Sequence, residues 1–251
     1  MQTASARLQR KLDLMAPAFG TPGRLLLDDP QARELTPRFF AAGSYVTLAM
    51  VPLMEAALHR SRDLAADDVV AAGLAEYLER HIPEEMHGGA PGRAALDDLE
   101  ALGIDTIALR REPPPPRMAE LIGTLAFWIW HRHPVAILGL LALEAFHPHG
   151  PTVERLVRET GLPRDGFRQL LLHAKLDEQH AKELHRVVDA LPLDREQEEL
   201  IGIAALQTMS SLIDAWLDVV ADGASIGAGQ PGLTNLTDDG RGSAGSVLTT
   251  S

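Results

Sequence analysis

Three residues of one segment, His173, Asp177 and His180, form the pattern in this chain that most suggests chemistry. Spaced i, i+4 and i+7, they project from one side of a helix. Leu170, Ala174, Ala181, Leu184, Val188 and Leu191 share that side, while Lys175, Glu178, Gln179, Lys182 and Glu183 occupy the rest as an ordinary solvated face. The inward stripe is therefore apolar except for two imidazoles and a carboxylate. An ionised carboxylate buried without a partner costs on the order of several kcal/mol, and either a protonated histidine or a metal ion offsets that cost. From these three residues alone, a core ion pair and a metal site stand level.

Two further groups carry donors of the same kind. Glu84 and His87, at i and i+3, put a carboxylate and an imidazole on one helix face just before Gly88-Gly89 stops the helix. Pro83 frees the carbonyl of Glu79 and kinks the segment. The competing reading is a solvated turn, since His81 and Glu85 make the neighbourhood polar. Glu144 is the sole acidic residue between Val135 and Phe146. A lone carboxylate in so dry a run either reaches solvent at the helix end or coordinates something buried. His147 precedes Pro148, which takes it out of helical geometry, and His131 and His133 flank a helix break as rim residues.

Glu84, His87, Glu144, His173, Asp177 and His180 together offer three carboxylates and three imidazoles from three helices. That donor mix suits two octahedral irons with open positions. Two ferrous ions against three carboxylates leave a net charge of about +1, a seat for a reduced oxygen species or an anionic substrate group. The same donors could hold two zinc ions in a hydrolase. A ferritin-like metal-binding protein would draw Glu-x-x-His from two helices, and the third histidine of the 173–180 group fits that scheme poorly. A helical interaction domain with these residues in ion pairs needs no metal.

The elements that must position these residues are helices. The chain has 251 residues, 45% hydrophobic and only 4% aromatic, and strand-like alternation is scarce, so an all-α fold is expected. The periodicity predicts helices over 36–61, 66–87, 93–102, 117–132, 134–146, 151–160, 164–190 and 194–221, after a loosely patterned start. Arg111 to Pro116, with four consecutive prolines, predicts a stiff extended connector. Residues 1–222 are expected to form one helical domain, and 223–251, rich in Gly, Ser and Thr, a disordered tail. Asn235-Leu236-Thr237 in that tail matches the glycosylation pattern by chance. The apolar runs Leu121–Trp130 and Val135–Ala142 are broken by His131-Arg132-His133-Pro134, and each is shorter than the roughly 18 residues a membrane span needs.

Composition narrows the function classes. With no cysteine, disulfides, thiolate zinc sites, iron-sulfur clusters and thiol nucleophiles are excluded. A formal charge of -12 and a pI near 5.2 disfavour nucleic acid and anionic membranes as partners. The start, Met-Gln-Thr-Ala-Ser, has no apolar run with a small-residue cleavage site, so a cytoplasmic location is expected. A homodimer is the default assembly.

The residues resemble those of the heme-oxygenase-like diiron oxidases and oxygenases, the iron-containing redox enzymes. His81-Ile-Pro-Glu-Glu-Met-His87 followed by Asp98-Leu-Glu-Ala-Leu-Gly103 is similar to that family's first ligand helix and the short helix after it. His133-Pro-Val-Ala-Ile-Leu-Gly139, ending in Leu143-Glu144, is similar to its central helix, and His173-x-x-x-Asp177-x-x-His180 to its third ligand group. The likeness spans about residues 37–220. It implies a heme-oxygenase-like bundle of seven or eight helices holding two Fe(II) ions. Glu84, His87 and His173 would serve one iron, and Glu144, Asp177 and His180 the other; the family is known for holding its second iron weakly. The implied activity is dioxygen-dependent oxidation of a small organic substrate: amine N-oxygenation, oxidative cleavage of amino acids or fatty-acid decarboxylation. Some members place the first glutamate seven residues before the histidine; that position is Arg80 here, so Glu84 is preferred, with Glu85 as its substitute. Thiaminase-type relatives need a cysteine this chain lacks. Heme oxygenases proper need an early axial histidine, for which only His59 is available. A cofactorless oxidase of the pyrroloquinoline-quinone synthase type would not need six ligands. Phe127, Trp128, Trp130 and Phe146 are candidates to wall the substrate cavity or to fill the core.

Overall fold

The computed structural model describes residues 2–86, 91–146 and 150–227, without the side chains of 91, 144, 145, 173, 175–180 and 223–227. Eleven α-helices and no strand occur among the described residues. They are α1 (Ala4–Phe19), α2 (Thr21–Asp28), α3 (Ala32–Leu64), α4 (Val69–Glu85), α5 (Pro91–Ala101), α6 (Thr106–Arg111), α7 (Pro116–His131), α8 (Ile137–Leu141), α9 (Gly150–Thr160), α10 (Arg168–Ala190) and α11 (Arg195–Gly227).

Each predicted helix has a counterpart, but the chain holds three more. The loosely patterned start is α1 and α2: Thr3 caps α1 by accepting the Ala6 N–H, and Leu8 and Leu12 enter the main core with Met15 and Phe19 packed beside them. The third is α6, started by Asp105, which accepts the N–H groups of Ile107 and Ala108. The proline connector runs between α6 and α7 as expected, with Pro115 and Pro116 opening α7, where a missing N–H costs nothing. The last helix continues to Gly227, five residues beyond the expected domain end; residues 228–251, most of the expected tail, lie outside the described set.

The expected single helix 134–146 is α8 flanked by two 3-10 turns, Pro134–Ala136 and Ala142–Phe146. Every residue from Pro134 to Ala142 is buried. This central element is surrounded by α3, α4, α7, α10 and α11. Its approach to α11 is close: a Cβ on Gly139 would stand 2.5 Å from the Ala204 Cβ and 2.7 Å from both the Ala205 nitrogen and the Ile201 oxygen. Among the described residues, the two helices with enough length and hydropathy to cross a membrane, α3 and α11, pack on each other and on this centre, and much of their apolar surface belongs to the main core.

Candidate metal centre

The three segments that carry the predicted ligands share one base. Asp68, the N-cap of α4, accepts the N–H groups of Val70 and Ala71 at 2.8 and 2.9 Å. Its other oxygen lies 3.0 Å from the Nε2 of His133, which opens the central element. His133 Nδ1 accepts the Val135 N–H at 3.1 Å, so Nε2 carries the ring proton and donates it to Asp68. Burial alone would raise the Asp68 carboxyl, but hydrogen bonds from Ala71, His133 and Val70 take it below its usual range. Gln197 of α11 lies 3.4 Å from the same ring nitrogen. At the other end of α10, the Leu191 side chain reaches to 2.8 Å from where a Cβ of residue 73 would stand. Thus α4 and the central element start at this base and α10 ends on it.

At ~1.5 Å per residue in α-helix and ~2.0 Å in 3-10 turns, Glu85 lies ~26 Å along α4 from Asp68, Glu144 ~19 Å along the central element from His133, and His180 and Asp177 ~17 and ~21 Å along α10 from Leu191. Moreover, α10 packs along Ala142–Phe146, the turn that contains Glu144. The turn that contains Glu144 and the helix that contains residues 173–180 are therefore neighbours. The side chains of Glu144, His173, Asp177 and His180, and the whole of His87, lie outside the described residues.

At the end of α4 the geometry separates two adjacent glutamates. The Glu84 side chain is 60% exposed, whereas that of Glu85 is 6% exposed and its carboxylate lies 3.8 Å from the Nε2 of buried His81. His81 stacks on Tyr77 with ring centroids 4.9 Å apart. The cause is helical phase. Leu74, Leu78, His81 and Glu85 fall within roughly 60° of one another at about 100° per residue, while Glu84 sits roughly 80° from the Leu74 direction on the outer side. The i, i+3 argument for Glu84 and His87 also assumed a helix to residue 87, but α4 closes at Glu85, with Met86 as its C-cap. The inward carboxylate of this helix is Glu85, and the buried imidazole beside it, His81, was legible in that apolar stripe. Among the described residues, no group of three or more His, Asp or Glu side chains is close enough to hold a metal ion. The fit to metal rests on the donors themselves: a buried carboxylate and imidazole on α4, and the backbone neighbourhood of Glu144 with α10.

Other candidates fall elsewhere. His59 is 68% exposed and weakly paired with Asp63 at 3.9 Å, a poor axial ligand for heme. His131 is exposed beside Phe127, a rim residue as expected, but His133 belongs to the clamp at the base. Phe127 and Trp130 point outward, 53% and 42% exposed, so neither walls a cavity nor fills the core; the α7 stripe Met118, Leu121, Leu125 and Ile129 takes the inward face. Trp128 and Phe146 do pack against the main core.

Residues 38–211 match the family described as iron-containing redox enzymes. The chain belongs to this family, and its fold is heme-oxygenase-like. A domain of unknown function with a heme oxygenase-like fold from Shewanella denitrificans OS217 superposes with a TM-score of 0.71 at 17% identity, over 90% of this chain and 95% of that one. A CADD-like protein of unknown function from Nostoc punctiforme PCC 73102 gives 0.64 at 19% identity, over 87% and 97%. A TenA homolog from Pseudomonas syringae pv. tomato str. DC3000 gives 0.59 at 12% identity, over 88% and 94%. At such identities these likenesses establish the fold alone. No functionally curated protein matches the sequence.

Proposed function

We propose that this protein is a dioxygen-dependent non-heme diiron oxidase or oxygenase acting on a small organic substrate in the cytoplasm. Its ligands are Glu85, whose side chain is buried where that of Glu84 is exposed, His87, Glu144, His173, Asp177 and His180. The observation that carries the reading is the packing of α10 along Ala142–Phe146. It makes neighbours of a helix bearing His, Asp and His on one face and a turn bearing Glu144, in a chain of the iron-containing redox enzyme family. Two ferrous ions, when bound, supply electrons to dioxygen and open positions at which it reacts. The protein supplies the rest. The buried Glu85 carboxylate offers a charged oxygen ligand, and the fully buried run from Val135 to Ala142 keeps water from the inner wall and strengthens the electrostatics there. The absence of cysteine speaks against a thiol-dependent reaction.

Anaerobic titration with ferrous iron, followed by oxygen exposure, tests this reading. Near two irons per chain with oxygen consumption is expected, and clear loss of both in His173→Ala. Iron uptake without oxygen consumption would favour a ferritin-like binding protein, tightly held zinc a hydrolase, and no uptake a helical interaction domain.

A further inference from the structure

The N-terminus of α10 is held by a carboxylate from another helix. Its own N-cap residue, Phe167, makes no side-chain cap. Instead Asp98 of α5, itself only 7% exposed, accepts the Gln169 N–H at 2.8 Å with one oxygen and the Arg168 Nε–H at 3.2 Å with the other. Burial pushes the Asp98 carboxyl above its usual range against these two hydrogen bonds, so a charged group is kept dry for the sake of this contact. The approach is tight. A Cβ on Gly166, in the turn that leads into α10, would stand 2.4 Å from two side-chain carbons of Leu102 and 3.2 Å from the backbone oxygen of Asp98. A side chain at 166 would therefore force Leu102 to repack and press on the α5 backbone at Asp98.

The position of α5 gives this contact its meaning. The helix begins at Pro91, four residues after His87, and its other end abuts the start of α10, whose sequence reaches His173 five residues on. The helix that follows the His87 segment thus packs against the start of the helix that carries the third ligand group, with Asp98 as its latch. We propose that Asp98 is a positioning residue for metal binding: it fixes the axial and rotational setting of α10, so that His173, Asp177 and His180 retain their ion. This rests on the metal reading above.

The test compares Asp98→Ala and Asp98→Asn with Asp105→Ala, which removes an N-cap of α6 instead. Two readouts are followed: hydrogen exchange at the first-turn amides of α10 in metal-free protein, and release of ferrous iron to a chelator under anaerobic conditions. For Asp98→Ala, first-turn exchange rises roughly fivefold to tenfold and iron leaves about tenfold to a hundredfold faster, the range for lost outer-shell support. Asp98→Asn, which still accepts the amide, recovers much of both, and Asp105→Ala moves neither. Unchanged iron release from Asp98→Ala, with iron bound normally by the wild type, overturns the inference alone. A wild type that takes up no iron overturns the metal reading and the role in metal retention together, and the exchange data then show whether Asp98 still latches the helix.

Discussion

Replacing Gly139 by alanine measures how closely the central element is packed against α11. The added carbon would meet the Ala204 Cβ at 2.5 Å and two backbone atoms, the Ala205 nitrogen and the Ile201 oxygen, at 2.7 Å. Ordinary contacts begin near 3.4 Å, so the helices must part by roughly 1 Å, since backbone atoms cannot swing aside as a side-chain tip can. Overpacking of this kind costs about 1–3 kcal/mol. Because two of the three close atoms are backbone, the cost falls at the upper end of that range; alanine's better helix propensity returns about 1 kcal/mol, leaving a net loss of about 2 kcal/mol. For a chain of this size that lowers Tm by about 4–8 °C. The displacement also reaches Glu144, five residues on, and a misplacement of about 1 Å at a reacting centre can cost on the order of a hundredfold in rate. Thermal melts of metal-free protein and oxygen consumption per bound iron are the assays. Combining Gly139→Ala with Ala204→Gly removes only the 2.5 Å contact and should restore stability in part. A Gly139→Ala protein as stable as the wild type would refute the close approach of α8 and α11 and everything drawn from it.

Glu85→Gln should lower the iron bound per chain severalfold, whereas Glu84→Gln, altering an exposed side chain, should leave it within error; metal analysis after anaerobic loading decides, and the reverse result would restore Glu84. Asp68→Ala removes two N-cap bonds and the His133 contact and should cost about 1–3 kcal/mol in denaturant unfolding, while Asp68→Asn keeps the cap and costs less. Because the folded-state pKa of Asp68 is lowered, its charge contributes stability above the unfolded-chain value near about 4. That contribution is lost as pH falls through the folded-state value. The stability gap between wild type and Asp68→Asn should therefore close in acid, and a gap that widened would contradict the bonding described.

Periodicity made the long helices legible because each carries a sustained apolar stripe, as in α7 and α10. It failed for α1 and α2, where the inward Leu8, Leu12, Met15 and Phe19 are interspersed with Arg, Lys and Asp and read as noise without the core that receives them. The short α6 has too few turns for a period to show. The choice between Glu84 and Glu85 was open to the same arithmetic: extending the stripe of Leu74, Leu78 and His81 reaches residue 85. Spacing relative to His87 favours Glu84 only for a helix that extends to residue 87, and α4 closes at Glu85. Asp98 and Asp68 could not be found from local pattern, since their partners, Gln169 and His133, lie 71 and 65 positions away.

The run from Pro134 to Ala142 touches protein on every side and offers no face to water. Only exchanges that conserve shape can be accommodated there, because a methyl more or less is transmitted to five surrounding helices at once. A lineage adapting this scaffold to a new compound would therefore leave the axle alone and rewrite the helices that turn around it.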